Sequence, residues 1–456
     1  MFDWAYKRRL KDDLEAWVVK GWVSSEGAAA ILKEQDQEDG RSRLPMALAG
    51  IGMVCVALAL FAFIAANWDV IPKFLKLAGI AFLIVLSNAL AAYASARGRK
   101  GVADLMTGFA TLVFVGGLAL VGQIFHLPAD WASGAFLVSI GALAAAWLTG
   151  SKTSLIAAAV AVMTWQVGRS TDAAPGVFEN LTGLVLLAAV FLHPVFFPAR
   201  VSRWAGICVL WVTYGRWFFD RAEMGLPDEM VLAMGLAGFG GLAAVLVQLD
   251  TLADLVVKWS SERPSRGHGR WLMSRSMQDA GMLILCVMLV LALIVVPEIS
   301  DDLSASGLLL IQAFLPLVIA VLLTVVGFVL SYKTAKARAL FAAVGLALAS
   351  IVIPVATGNI LILASLSLAA LVGLCALGTW YNNRSWMLYA YVGLTAVALW
   401  LLQVTIGSLL GQSLFFLVAG AVLLAMALWL ARALRKRQTP PEPATEELPA
   451  PTESHS

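Results

Sequence analysis

Two short polar stretches hold the side chains whose types and spacing could do chemistry. The first, Ala65-Ala66-Asn67-Trp68-Asp69-Val70-Ile71-Pro72, closes a long apolar run; the second, Gly122-Gln123-Ile124-Phe125-His126-Leu127-Pro128-Ala129-Asp130-Trp131, closes another about fifty residues later. A histidine near a carboxylate titrates near neutral pH, so Asp69 and His126 are candidates for a proton or polar-ligand site, with Asn67 and Gln123 as hydrogen-bonding groups. If the helix before it runs to Phe125 or beyond, Gln123 and His126 share one of its faces. Trp68 and Trp131 belong at headgroup depth. One histidine and one acid fall short of the three or four ligands a metal needs, so neither metal nor cofactor is expected. A plain structural role fits the same residues: Asn67 as a helix C-cap, Asp69 as an N-cap ahead of Pro72, and His126 as a loop residue before Pro128.

No other catalytic set stands out. The chain has no Gly-rich phosphate loop, nucleophile elbow, paired-histidine zinc helix or Cys-x-x-Cys, so no residue argues for an enzyme. The four cysteines, Cys55, Cys208, Cys286 and Cys375, sit in different apolar runs and read as small apolar fillers rather than a disulfide framework.

The elements that must position the polar stretches follow from composition. With 456 residues, 60% of them apolar and only 13% charged, and a mean hydropathy of +0.84, the chain is outside the soluble range. The fold expected is all-α, a polytopic integral membrane helical bundle, and nucleic acid is not an implied partner. Runs long enough to cross about 30 Å of hydrocarbon recur from Met46. They lie near 46–66, 74–95, 103–125, 132–149, 153–168, 178–197, 204–219, 229–248, 279–297, 306–331, 339–356, 359–379, 386–403 and 407–431, about fourteen in all. The shortest, 153–168 and 204–219, have the length of re-entrant or tilted pieces.

Basic side chains orient this array. With a cytoplasmic N-terminus, the inner segments hold most of the 32 Lys and Arg residues, and the outer side keeps Lys73, Lys76, Arg169, Arg216 and Arg221. Both termini are then cytoplasmic, and both polar stretches face outward. Lys73 and Lys76 are the awkward pair, expected to snorkel or to pair with Asp69. Residues 1–45 read as a cytoplasmic amphipathic helical hairpin: Leu10, Leu14, Trp17 and Val18 keep helical spacing, Gly21 ends that helix, and Ser24 or Ser25 caps the next. They contain no short apolar core with a cleavage site, so no cleavable signal is expected. The basic loop 249–278 divides a first membrane module, 46–248, from a second, 279–431. The tail, 432–456, is basic and then rich in Pro and Glu, with too little apolar content to fold. Small residues at Gly116, Ala119 and at Ala233, Ala237, Gly241 mark faces for close helix crossing.

The segment from about Leu10 to Leu155 resembles a family of bacterial predicted membrane proteins known only as domain of unknown function 2157. The resemblance is carried by Leu14-Glu15-Ala16-Trp17 with Gly21-Trp22-Val23-Ser24, by the stretch from Ala65 to Pro72, and by Gly122-Gln123-Ile124-Phe125-His126-Leu127. It implies a bacterial inner (cytoplasmic) membrane location and an N-terminal module that recurs as a unit; it brings no activity.

Span number, short loops and the outer cluster of Asn67, Trp68, Asp69, Gln123 and His126 together point to a transporter-like handler of a small polar or lipid-linked solute. The alternative is a membrane scaffold or sensor that recruits a cytoplasmic protein partner through the N-terminal hairpin. A cavity lined only by Leu and Val would favour the latter.

Overall fold

The structure is a computed structural model that describes residues 13–15, 17–31, 43–66, 71–126, 130–169, 177–222, 228–259, 269–299, 311–357 and 360–405. All regular structure among the described residues is α-helix, as hydrocarbon requires of a chain whose backbone must satisfy its own hydrogen bonds. Among the described residues thirteen helices run from Arg43 to Thr405. The first seven are α1 (Arg43–Ala66), α2 (Lys73–Ala96), α3 (Lys100–Ile124), α4 (Trp131–Thr149), α5 (Lys152–Gly168), α6 (Val177–Phe196) and α7 (Arg200–Ala222). The other six are α8 (Asp228–Trp259), α9 (Gly269–Ile299), α10 (Ile311–Leu330), α11 (Ala335–Thr357), α12 (Ile360–Trp380) and α13 (Arg384–Thr405).

Nine of them, α2, α3, α4, α6 and α8 to α12, are long and apolar enough to cross a membrane. In α1 the apolar stretch is Leu48–Ile64. The two shortest runs in the sequence are continuous helices, α5 and α7, and α5 has Leu155, Ala158, Ala159 and Val162 fully enclosed. The run at 407–431 and the tail at 432–456 lie outside the described residues.

The chain divides into two compact units, Met1–Tyr214 and Gly215–Ser456, the division falling inside α7. The basic segment 249–278 is largely helical, because α8 continues to Trp259 and α9 begins at Gly269. Hydropathy marks where side chains leave hydrocarbon; helix hydrogen bonding continues past that depth.

In the first unit α3 is the hub, packed against α1, α2, α4 and α5. Its two adjacent glycines explain how. A Cβ on Gly116 would meet Phe61 of α1 at 1.9 Å, and one on Gly117 would meet Ile80 of α2 at 2.7 Å. Both neighbours seat in notches on the helix, and Ile64, Ile80, Val113 and Leu120 close the core around them. A second core joins α4, α5, α6 and the start of α7 through Ala142, Leu155, Val162, Val190 and Val209.

In the second unit α8 is packed against α9, α10 and α11. A Cβ on Gly241 would lie 2.6 Å from the backbone nitrogen of Leu317, so α8 and α10 touch main chain to main chain. Gly281 of α9 approaches the carbonyl of Ala243 in the same way, at 2.7 Å. Small residues permit this proximity where the hydrophobic effect offers no drive between helices.

Local signals end the helices where the sequence places them. Asp130 accepts from the Ser133 N–H at 3.0 Å and starts α4; Gly150, with φ +67°, ends it; Ser151 accepts from the Ser154 N–H at 3.2 Å and starts α5. In the N-terminal hairpin Gly21 is left-handed at φ +70°, its N–H bonds Val18 O, the Trp22 N–H bonds Trp17 O, and Ser24 caps the helix that follows through the Gly27 N–H.

Candidate functional site

Three polar or concave features stand out in the first unit: the corner where α3 ends, a groove along α3, and a hydroxyl and carboxylate cluster at the opposite end of that groove.

The corner is described in part. Asn67, Trp68 and Asp69 lie outside the described residues. α3 ends at Ile124, with Phe125 as C-cap, and His126 turns away at φ +48°. Histidine is among the residues that tolerate this left-handed region better than most. His126 therefore stands on the turn rather than on a helical face shared with Gln123, because the helix stops before the register reaches it. Both side chains are exposed. Hydrogen bonds from the Ser133 hydroxyl and N–H hold Asp130 below the ordinary carboxylate range. The Trp131 ring covers Gly168 at the end of α5; a Cβ there would meet it at 2.1 Å.

Of the two lysines beside this corner, Lys73 is exposed, but Lys76 is buried and lines a cavity of about 350 Å³ with Ile64, Ile71 and Ile80. Lys76 is therefore turned inward rather than snorkelling outward, and Asp69, its other expected partner, lies outside the described residues.

The groove is the larger feature, about 560 Å³, with Leu105, Gly108, Phe109, Leu112 and Val115 of α3 as its floor. Gly50, Met53 and Val54 of α1 form one wall, and residues of α5 from Thr153 to Thr164 form the other. Val54, Leu112 and Val160 are exposed, so the groove is open along one side rather than closed over. Its volume is in the range of small-molecule sites, about 300–1,000 Å³. Its walls are aliphatic apart from Phe109 and the hydroxyls of Thr153 and Thr164.

Thr153 also belongs to the cluster that ends the groove. Asp104 Oδ1 accepts from the Ser151 hydroxyl at 2.8 Å, the Thr153 N–H at 3.2 Å and the Thr153 hydroxyl at 3.1 Å. The Thr153 hydroxyl also lies 2.8 Å from the Asp104 carbonyl, and Lys152 Nζ is 3.8 Å from Asp104 Oδ2. Thr111, about two turns further along α3, shares a buried hydrogen bond of 2.9 Å with Ser154. The carboxylate of one helix thus holds the capped N-terminus of another, where the helix dipole favours negative charge. Asp104 reads in sequence as a polar residue near a span end. The signal for its role is the run Ser151-Lys152-Thr153-Ser154 on a loop assigned to the same side, but no spacing rule says that α3 and α5 are neighbours.

The remaining intramembrane polar residues are mostly bonded across or along helices rather than snorkelling. Gln166 donates to Thr213 at 3.2 Å, Arg169 to Asn180 at 3.1 Å, and Gln278 to the Val247 carbonyl at 3.1 Å. Arg216 and Asp220 pair at 2.6 Å, as their spacing predicts. His193 is fully buried; its Nε2 donates to Ala146 O of α4 at 3.1 Å, not to the carbonyl that Pro194 frees in its own helix. In the second unit Asp279 accepts from Trp386 Nε1 at 2.7 Å and Asn383 Nδ2 at 3.0 Å. Among the described residues no group of His, Cys, Asp and Glu is arranged to hold a metal.

The model of a family described as a predicted membrane protein, DUF2157, matches residues 15–155. That match takes in the turn at Gly21, α1 to α4, and the Asp104, Ser151 and Thr153 cluster; the rest of the α5 wall lies beyond it. No curated protein and no solved structure matches the chain. The chain is thus a membrane protein with many apolar helices, similar over its first third to a family of unknown function.

Proposed function

We propose that this chain is a multi-pass protein of a bacterial inner membrane that handles a lipid-linked solute, whose apolar chain lies in the groove on α3. The observation that carries this is the lining of the groove. A polar solute there would leave most of its hydrogen-bonding groups unmet, at a cost of several kcal/mol for each, on the order of 2–7. An acyl or isoprenoid chain meets matched walls and enters through the open side. The groove is not lined by Leu and Val alone: its end carries Thr153, Asp104 and Lys152, which suit a polar headgroup beside an apolar tail.

With both termini cytoplasmic, that cluster faces the inner leaflet, and the corner of Gln123 and His126, with Asn67, Trp68 and Asp69, faces the outer one. Val115 on the groove floor is about two helical turns short of Gln123. The two polar ends then bracket a path along α3 for a headgroup.

The test is retention of lipid by the purified chain. After exhaustive detergent exchange, native mass spectrometry should find wild-type protein holding a stoichiometric lipid. Val160→Trp, which fills the groove from an exposed position, should lose it; Val167→Trp, exposed on the same helix but outside the groove, should keep it. Equal retention in all three, or none in wild type, removes the groove from the function. In that event, loss of activity on deleting residues 1–40 with the spans still inserted would favour the scaffold.

A further inference from the structure

The turn of the N-terminal hairpin displays what turns seldom display. Leu14 and Ala28 are buried, so part of the apolar face of this segment is covered. A second apolar set sits at its tip: Val19 is 87% exposed, Trp22 69% and Trp17 37%. The tip is also held in shape, by the left-handed Gly21 and by the bonds from the Gly21 N–H to Val18 O and the Trp22 N–H to Trp17 O. Docking it therefore orders little backbone. The Lys20 ammonium lies 4.8 Å above the Trp22 ring.

We infer that this tip, residues 17–22, inserts into the headgroup layer of the leaflet from which α1 departs, and so acts as a second, peripheral membrane anchor. The chemistry is that of a bilayer interface: indole rings have an apolar body and a polar N–H edge, and an adjacent lysine reaches phosphate. The tether supports the same occupant. From Ile31 to the start of α1 at Arg43 the chain spans at most about 40 Å, so the leaflet is always within reach at high effective concentration. Basic and acidic side chains of residues 1–45 nearly cancel. Attraction to anionic lipid therefore contributes little, and the anchor works through apolar insertion.

This inference does not depend on the groove. It is tested with the full chain, its Cys55, Cys208, Cys286 and Cys375 replaced by alanine and an environment-sensitive NBD fluorophore attached at Val19→Cys. In phosphatidylcholine vesicles the emission should be blue-shifted and quenched by lipids brominated near the headgroup. The signal should persist at molar salt and be the same when phosphatidylglycerol is included. Adding Trp17→Ser and Trp22→Ser should remove both shift and quenching. Water-like emission overturns the inference. So does a blue shift without bromolipid quenching, which would place the tip against protein, or a signal that needs anionic lipid or low salt. Trypsin at Lys20 gives a second readout on the native chain: cleavage should be slow in vesicles and fast in amphipol. Equal rates in the two count against insertion.

Discussion

Replacing Asp104 tests the link between α3 and α5 where the groove ends. Its Oδ1 receives three donors at 2.8, 3.1 and 3.2 Å, and its side chain is only 13% exposed. Asp104→Ala leaves the Ser151 hydroxyl and the Thr153 N–H without the carboxylate, while the Thr153 hydroxyl keeps the backbone carbonyl of residue 104 at 2.8 Å. A hydrogen bond to a charged group contributes about 1.5–3 kcal/mol, and leaving a buried partner unmet costs about 1–3 kcal/mol. The three donors share one oxygen and water reaches part of the site, so these do not add; a loss of about 2–3 kcal/mol is expected. Asp104→Asn keeps an oxygen in the position of Oδ1 and gives up only the charge. The charge faces Lys152, whose side chain is 48% exposed, so the loss should be no more than about 1 kcal/mol. Unfolding in mixed micelles, with lipid retention measured in parallel, reads both variants. If the two variants lose stability equally, the charge rather than the acceptor geometry matters. If neither loses any, α5 is not held by this carboxylate.

Gly241→Ala should destabilise the second unit by about 1–3 kcal/mol, because the new methyl meets main chain at Leu317. Gly116→Ala should cost less, since it meets only the far end of the Phe61 ring, and Phe61→Leu in the same chain should recover most of the loss; thermal unfolding in detergent compares all three. Trp386→Phe removes one of the donors to Asp279 and should cost about 1–2 kcal/mol, visible as a lower unfolding midpoint. Asp130 is held below its unfolded value, so its contribution to the start of α4 is complete above the ordinary carboxylate range and is lost as pH falls through the lowered folded value. The stability gap between wild type and Asp130→Ala near neutrality should accordingly close on acidification; a gap that widens would reverse the sign.

Much of the helical frame is legible in the sequence, and the reasons are local. Runs read at 46–66, 74–95 and 153–168 are helices Arg43–Ala66, Lys73–Ala96 and Lys152–Gly168, because apolar length and caps such as Asp130 and Ser151 act within a few residues. Gly21, Ser24 and the pair Arg216 and Asp220 are legible for the same reason. The continuation of α8 and α9 into 249–278 is not, because Ser274 with Asp250 and Gln278 with Thr251 hold polar turns together across two helices. The groove and the Asp104 cluster depend on which helices are neighbours. Asp104 and Thr153 are 49 residues apart, and no periodicity in the chain relates α3 to α5. Nor does the spacing of Gln123 and His126 reveal that α3 stops at Ile124 and sends His126 into a left-handed turn.

The most direct test of the central claim is the sidedness of α3 and its neighbours. Single cysteines at His126 and Lys152, in a chain without other cysteines, would be probed with a membrane-impermeant maleimide in intact cells whose outer membrane has been opened. His126→Cys should label at once, and Lys152→Cys only after the inner membrane is permeabilised. Labelling of both from the same side would contradict a lipid path that runs along α3 from an inner cluster to an outer corner.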